Sequence, residues 1–187
     1  MNSPDPHVTD DERAKVVRLL TESRDALLAA VAPLTEAQWA FKPGPDRWSI
    51  GEIIEHLGLV ERGIFSRVEK ALATPANAEW TTSTARKTEL LERQLVDRGV
   101  PRPAPEHVVP TGTVGRDNAL RIYTERRERS LTFVKGNRDP LKAHTQDHQR
   151  PVYGTLNAYQ WLLFIPLHNI RHIQQIEEIK ALNGFPQ

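Results

Sequence analysis

The stretch Trp161–Leu182, WLLFIPLHNIRHIQQIEEIKAL, decides how this chain is read. Its apolar residues recur at the spacing of a helix with a buried face, and Ile165, Ile176 and Ile179 lie on or near one stripe. His168 and His172 fall on that same face, four residues apart. On an α-helix such a pair is offset by only ~40° around the axis and ~6 Å along it. Two neutral imidazoles so placed can chelate one cation from a single helix face. A third histidine, His56, sits in WSIGEIIEHLGLVERGIF, residues 48–65, another strongly helical segment. One histidine plus an H-x-x-x-H pair on two bundle helices leaves a bound metal with open positions.

The chain around these segments has 187 residues, the size of one compact domain with a real core. Its 25 Lys and Arg balance 24 Asp and Glu, so overall charge makes no case for nucleic-acid binding. It contains no cysteine, which excludes a disulfide framework, a thiolate nucleophile and Cys-ligated zinc. Any metal must be held by His, carboxylate or water. The opening MNSPDPHVTDDERAKVVRLL lacks the apolar core of a signal peptide. No segment reaches the ~20 apolar residues that span a bilayer. The expectation is a soluble cytoplasmic protein without a membrane partner.

Residues 1–9 read as a loose tail, and residues 10–187 as a single domain. Asp10 or Asp11 is placed to cap a first helix, with Val16, Leu19, Leu20, Leu27 and Val31 as its apolar stripe and Pro33 near its end. LTEAQWAFKPGPDR, with Pro43, Gly44 and Pro45, reads as a connector. Ser49-Ile50-Gly51-Glu52 matches a capping box that opens the second helix. Residues 74–115 are rich in proline, with one short helix in TELLERQLV. A connection of that length in a compact domain often covers a site. A third helix is expected over about Asn118–Val134 and a last one from a Thr155 cap to near Gly184. No convincing alternating strand appears. The predicted fold is all-α, a four-helix bundle with long connecting loops, an architecture that builds metal sites from inward side chains on facing helices.

Several residues carry two readings. Burying two imidazoles without partners costs several kcal/mol, and a cation shared by His168 and His172 offsets that cost. Three His ligands favour zinc, nickel, copper or iron over magnesium or calcium. The residues between the pair are Asn169-Ile170-Arg171, so the H-E-x-x-H glutamate of zincin proteases is missing. Glu52, one turn before His56, is either a catalytic base or the capping carboxylate. Pro166 removes an amide just before His168, which kinks the helix or re-aims the ring. His144 and His148 form a second H-x-x-x-H, in a polar stretch between Pro140 and Pro151 where helical spacing is not assured. Arg126 or Arg127 can meet an anionic substrate, or belong to a solvated face of ERRER. Trp39, Trp48 and Trp161 line a pocket or fill core. Arg171 points away from its histidine neighbours, toward solvent or a dimer contact.

The order WSIGEIIEHL, a proline-rich middle, and YGTLNAYQWLLFIPLHNIRHIQQIEEIK resembles the DinB-like, or YfiT-like, superfamily of metal-binding four-helix bundles. The resemblance runs from the first helix to about residue 182. It implies that His56, His168 and His172 hold a divalent metal ion, zinc or nickel, with water completing the shell. It implies less about reaction. Some relatives are thiol-dependent, among them bacillithiol and mycothiol S-transferases and a mycothiol-dependent isomerase, and many are dimers. The family name reflects DNA-damage-inducible relatives and does not imply DNA binding.

Three functions remain open on this basis. One is an enzyme acting on a small-molecule substrate, in which the metal activates a thiol cosubstrate or a water for attack on an electrophile, S-transferase-like or hydrolase-like. Another is a non-catalytic module that binds a metal and a small ligand. In the third, the metal only staples the bundle, although the expected core argues against such dependence.

Overall fold

The computed structural model describes residues 4–187. Four long helices form the body: α1 Asp10–Val31, α3 Ile50–Leu72, α6 Arg116–Gly136 and α7 Ala158–Lys180. Between them lie three short helices, α2 Glu36–Ala40, α4 Trp80–Ser83 and α5 Lys87–Gln94, and a 3-10 turn at Glu106–Val108. Two three-residue strands, β1 Thr145–Asp147 and β2 Thr155–Asn157, pair antiparallel in the last connector, with Gln146 opposite Leu156. The all-α bundle expected from the sequence is therefore present, with a small ribbon that no alternation had signalled. Three residues per strand are too few to carry a period-2 pattern.

Three of the four long helices start at a side chain that satisfies an orphan amide, whereas α6 starts at Gly115 with no side-chain cap. Ser49 and Glu52 form the expected capping box on α3. On α1 the cap is Thr9 with Glu12, not Asp10 or Asp11. On α7 it is Asn157 with Gln160, while Thr155 belongs to β2. The N-x-x-Q pattern two residues later supplies both halves of a box, which Thr155 lacks. α7 stops at Lys180, before Gly184, and ends on Ala181 in a right-handed conformation. Pro166 lies inside α7, fully enclosed, where it removes the amide that would bond the Leu162 carbonyl. Of the expected tail, residues 1–3 lie outside the described residues. The Pro6 carbonyl accepts from the Lys142 amide at 3.0 Å, and Val8 packs against the core.

The principal contacts join α7 to α3 and α1, and α6 to α3 and α1. Around the bundle the order is therefore α1, α6, α3, α7, with α1 diagonal to α3 and α6 diagonal to α7. Two connectors must cross the bundle, one holding α2 and the other the β-ribbon. The longest connector, residues 73–115, joins the neighbours α3 and α6, so its length serves something other than reach.

The interior has two apolar clusters. One gathers Leu20, Ile64, Val68, Leu131, Trp161 and Leu162; the other gathers Leu27, Ile53, Leu57, Tyr123, Ile176 and Ile179. A layer of buried polar side chains separates them: Ser23 on α1, His56 and Glu61 on α3, Arg127 and Ser130 on α6, and Asn169 and His172 on α7. Within it, Glu61 accepts from Arg127 Nε at 3.1 Å and Nη2 at 3.1 Å, and from Ser130 Oγ at 2.8 Å. Arg127 Nη1 also donates to the Leu20 carbonyl at 2.8 Å and Ser23 Oγ at 3.0 Å. Burial of a large aliphatic side chain contributes ~1.5–3 kcal/mol, so the apolar clusters above and below provide the stability that lets a polar layer persist.

Candidate metal centre

His56 projects from the second turn of α3, and His168 and His172 from the middle of α7, the helix that α3 packs against. Their three rings converge, with centroids 5.3 Å (56–168), 4.9 Å (56–172) and 4.5 Å (168–172) apart. Each offers one ring nitrogen, and these nitrogens all lie within 4.8 Å of one another. His168 Nε2 and His172 Nε2 are 3.2 Å apart. Two imidazole nitrogens sharing a tetrahedral zinc stand roughly 3.4 Å apart, from Zn–N bonds of about 2.05 Å. The donor set and its spacing fit a divalent cation.

The outer face of the cluster sets the tautomers. His56 Nδ1 donates to the Val108 carbonyl at 2.7 Å, because a carbonyl can only accept. His172 Nδ1 pairs with Gln175 Oε1 at 2.8 Å. Both Nε2 lone pairs therefore face inward, in the arrangement that orients metal-binding imidazoles. Without a cation, the close 168–172 nitrogen pair requires a proton on one side. Burial favours neutral rings throughout. It lowers the His56 pKa to about 4, only partly offset by the Val108 hydrogen bond. His168 and His172 are held well below the ordinary value, first by burial and then by neighbouring imidazoles. Neutral imidazoles are the metal-binding form.

The cluster opens into a cavity of about 700 Å³. Trp48 and His107 stand on its wall, and residues 101–108 of the long connector form part of its cover. Trp48 packs on His56 at 4.7 Å between rings, and Phe164 stacks on His168 at 5.8 Å. Trp161 also lines the cavity, whereas Trp39 lies in the core against α3.

Other side chains singled out in the sequence sit elsewhere. Glu52 has one oxygen on the Ser49 amide at 2.7 Å and the other on Lys42 Nζ at 2.9 Å, which is its capping role, away from the cavity lining. His144 Nδ1 is bonded to the carbonyl of Thr74 at 3.0 Å, while His148 joins the cavity wall, so the second H-x-x-x-H does not converge. Arg127 belongs to neither of its expected settings. It is 1% exposed and locked to Glu61, so it is not part of a solvated face and does not line the cavity. Arg126 does not line the cavity either. Arg171 is buried, not exposed; it donates to the carbonyls of Asp97 and Val100 and pins that segment beside the cavity.

What the sequence reading missed is the support. Gln175 and the Val108 carbonyl aim the clustered rings, and Asn169 Nδ2 ties the centre of α7 to Tyr123 Oη at 2.7 Å. Gln175, three residues after His172, was the one partner whose helical spacing could have signalled it.

A family model for the DinB superfamily matches residues 19–176. The chain belongs to the DinB superfamily. The chain is also similar to the uncharacterized protein YuaE of Bacillus subtilis (strain 168), at 26% identity over 143 residues that cover 74% of this chain and 81% of YuaE. The chain's fold is also similar to that of YfiT from Bacillus subtilis, with a TM-score of 0.59 over 99% of this chain and 95% of YfiT, at 16% identity. YfiT is described as a probable metal-dependent hydrolase with an unusual four-helix bundle topology. At that identity the likeness to YfiT establishes the four-helix-bundle fold and nothing finer. Among the described residues no helix is long and apolar enough to cross a membrane.

Proposed function

We propose that this DinB-superfamily protein is a metal-dependent enzyme in which His56, His168 and His172 hold a divalent cation, zinc or nickel. The reading rests on one observation: three buried or cavity-facing imidazoles, each with a ring nitrogen turned to a common centre, stand at the base of a 700 Å³ cavity. A cation bound there would acidify a water, or a thiol cosubstrate, and generate a nucleophile near neutral pH. The description of YfiT as a probable metal-dependent hydrolase supports the water version. The thiol version rests on the resemblance to thiol-dependent S-transferases.

The chain's own residues orient and shield. Val108 and Gln175 fix the ring faces, and the 101–108 segment limits water access to the electrophile. A small electrophilic substrate fits between this cover and the aromatic wall of Trp48 and Phe164. A second reading, a binding module without turnover, is favoured by the scarcity of carboxylate bases: among the described residues Asp46 is the only carboxylate in the lining.

Elemental analysis of the purified protein, followed by a panel of thiols and hydrolysable esters, tests the proposal. The expected result is one metal per chain and turnover that disappears in His168→Ala. Equal rates for the two proteins would refute catalysis at this centre; ligand-induced stabilisation without product would select the binding module. The resemblance adds a cytoplasmic homodimer to the proposal, and light scattering on the eluted peak tests the dimer.

A further inference from the structure

The net charge of the chain is +1, yet its cavity is far from neutral. Among the described residues six arginines line it, Arg47, Arg67, Arg98, Arg102, Arg150 and Arg171, against the single carboxylate of Asp46. Part of this excess has a structural explanation. Arg98 is paired bidentately with Glu178 at 2.6 Å, and Arg171 holds the carbonyls of Asp97 and Val100. Arg150 commits only Nη2, to the Pro103 carbonyl, and its other guanidinium donors have no partner among the described residues.

The remaining charge is organised around one aromatic stack. The Arg67 guanidinium lies 5.3 Å above the Trp161 ring and has no hydrogen-bond or ion-pair partner among the described residues. Trp161 stacks on His148 at 5.1 Å, and His148 meets the edge of Tyr153 at 4.7 Å. Arg102 lies 5.7 Å over Tyr153 and donates to its hydroxyl. The Arg150 amide donates to His148 Nδ1 at 2.9 Å, which leaves the neutral ring its proton on Nε2. Arg67, Arg102 and Arg150 therefore stand along the Trp161–His148–Tyr153 stack, with no carboxylate among their partners in the described residues. Phe164 stacks with both His148 and His168, so a single ring joins this wall to the histidine cluster.

Like charges crowded beside a partly enclosed cavity repel, and the low-dielectric walls strengthen the field inside it. An anion removes that repulsion, and guanidinium forks match carboxylate and phosphate oxygens. We propose that Arg67, Arg102 and Arg150 bind an anionic group of the substrate, a carboxylate or phosphate, whose reactive end reaches His56, His168 and His172. The substrate is then a small organic anion, with the His148 Nε2–H as an added donor. This assignment takes the cavity as the active site, and so rests on the proposed function.

Calorimetric titration of the full-length protein with inorganic pyrophosphate, succinate and uncharged succinamide tests it. The expected result is saturable binding of pyrophosphate or succinate and none of succinamide; which anion binds names the group. Arg67→Gln and Arg102→Gln should each weaken that binding by about tenfold. Zinc uptake by both variants should match the wild type, and circular dichroism checks their fold. His168→Ala should lose zinc and keep the anion. Absence of binding by either anion, or equal affinity in the wild type and both folded variants, overturns the assignment. Anion binding that depends on the arginines in a protein that takes up no metal would refute the metal centre while supporting the anion site.

Discussion

Replacing Glu61 by leucine should destabilise this protein more than removing most core side chains. Glu61 and Arg127 are buried in the polar layer with 3% and 1% exposure. Glu61→Leu strips Arg127 Nε and Nη2 of their acceptors at 3.1 Å and takes the 2.8 Å acceptor from Ser130 Oγ. Arg127 Nη1 keeps the Leu20 carbonyl and Ser23 Oγ, but the guanidinium charge stands uncompensated between two apolar clusters. Removing one partner of a buried pair costs ~3–5 kcal/mol. For a domain of this size each kcal/mol lowers Tm by ~2–4 °C, which gives a fall of ~6–20 °C. The double variant Glu61→Leu with Arg127→Met removes both charges and fills similar volume, and such replacements are often close to neutral. Thermal and urea denaturation followed by far-UV circular dichroism would then show a double variant more stable than the Glu61→Leu single. The coupling energy from the four-protein cycle should exceed about 2 kcal/mol. A Glu61→Leu cost below about 1 kcal/mol, or additive single effects, would refute the view that this pair is locked and dry.

The metal-free protein should remain folded in chelator, because two apolar clusters support the bundle. Zinc at a hundred times its Kd should add ~2.7 kcal/mol, and His168→Ala should abolish the resulting rise in melting temperature. In chelator, stability should fall as pH drops from 6.5 toward 4. Unfolded His56 takes up a proton near 6.5, and the folded ring resists until about 4, so the unfolded state binds more protons across that window. The His56 share is up to about 3 kcal/mol, and urea midpoints measured across this range should flatten in His56→Gln; a wild-type midpoint that rises on acidification would contradict the burial of this ring. Gly51→Ala should cost ~1–3 kcal/mol because a methyl there overlaps the Trp39 indole, while Gly63→Ala, with open space around it, should gain up to ~1 kcal/mol from helix propensity. Equal shifts in the two glycine variants would disprove the close approach of α2 to α3.

Local chemistry was legible along the chain. The Ser49 capping box, the stripes of α1 and α3, the long apolar face of α7 and the H-x-x-x-H on it are all short-range patterns, expressed within one helix by its own periodicity. They were enough for an all-α bundle and for three candidate ligands. The caps of α1 and α7 were misplaced by one or two residues because several capping residues stand together there, and only the backbone path selects among them.

The convergence of His56 with His168 and His172 depends on α3 lying against α7, more than a hundred residues later, a matter of packing order around the bundle. The same holds for Arg127 and Arg171. In sequence each is one arginine in a charged or mixed segment, which left Arg127 between an anionic substrate and a solvated face, and Arg171 between solvent and a dimer contact. In the fold each is buried, because Glu61 on α3 and the carbonyls of residues 97 and 100 supply partners from distant parts of the chain. The arginine-lined cavity arises in the same way, from residues on α3, α7 and three connectors. The sequence by itself therefore determined which long helices form and which face of each is apolar, since those properties are local, while α2 and α4 fell in stretches read as connectors. The tertiary structure alone decided which polar groups meet between the helices, since a buried charge or imidazole is tolerated only beside partners that chain order does not place near it.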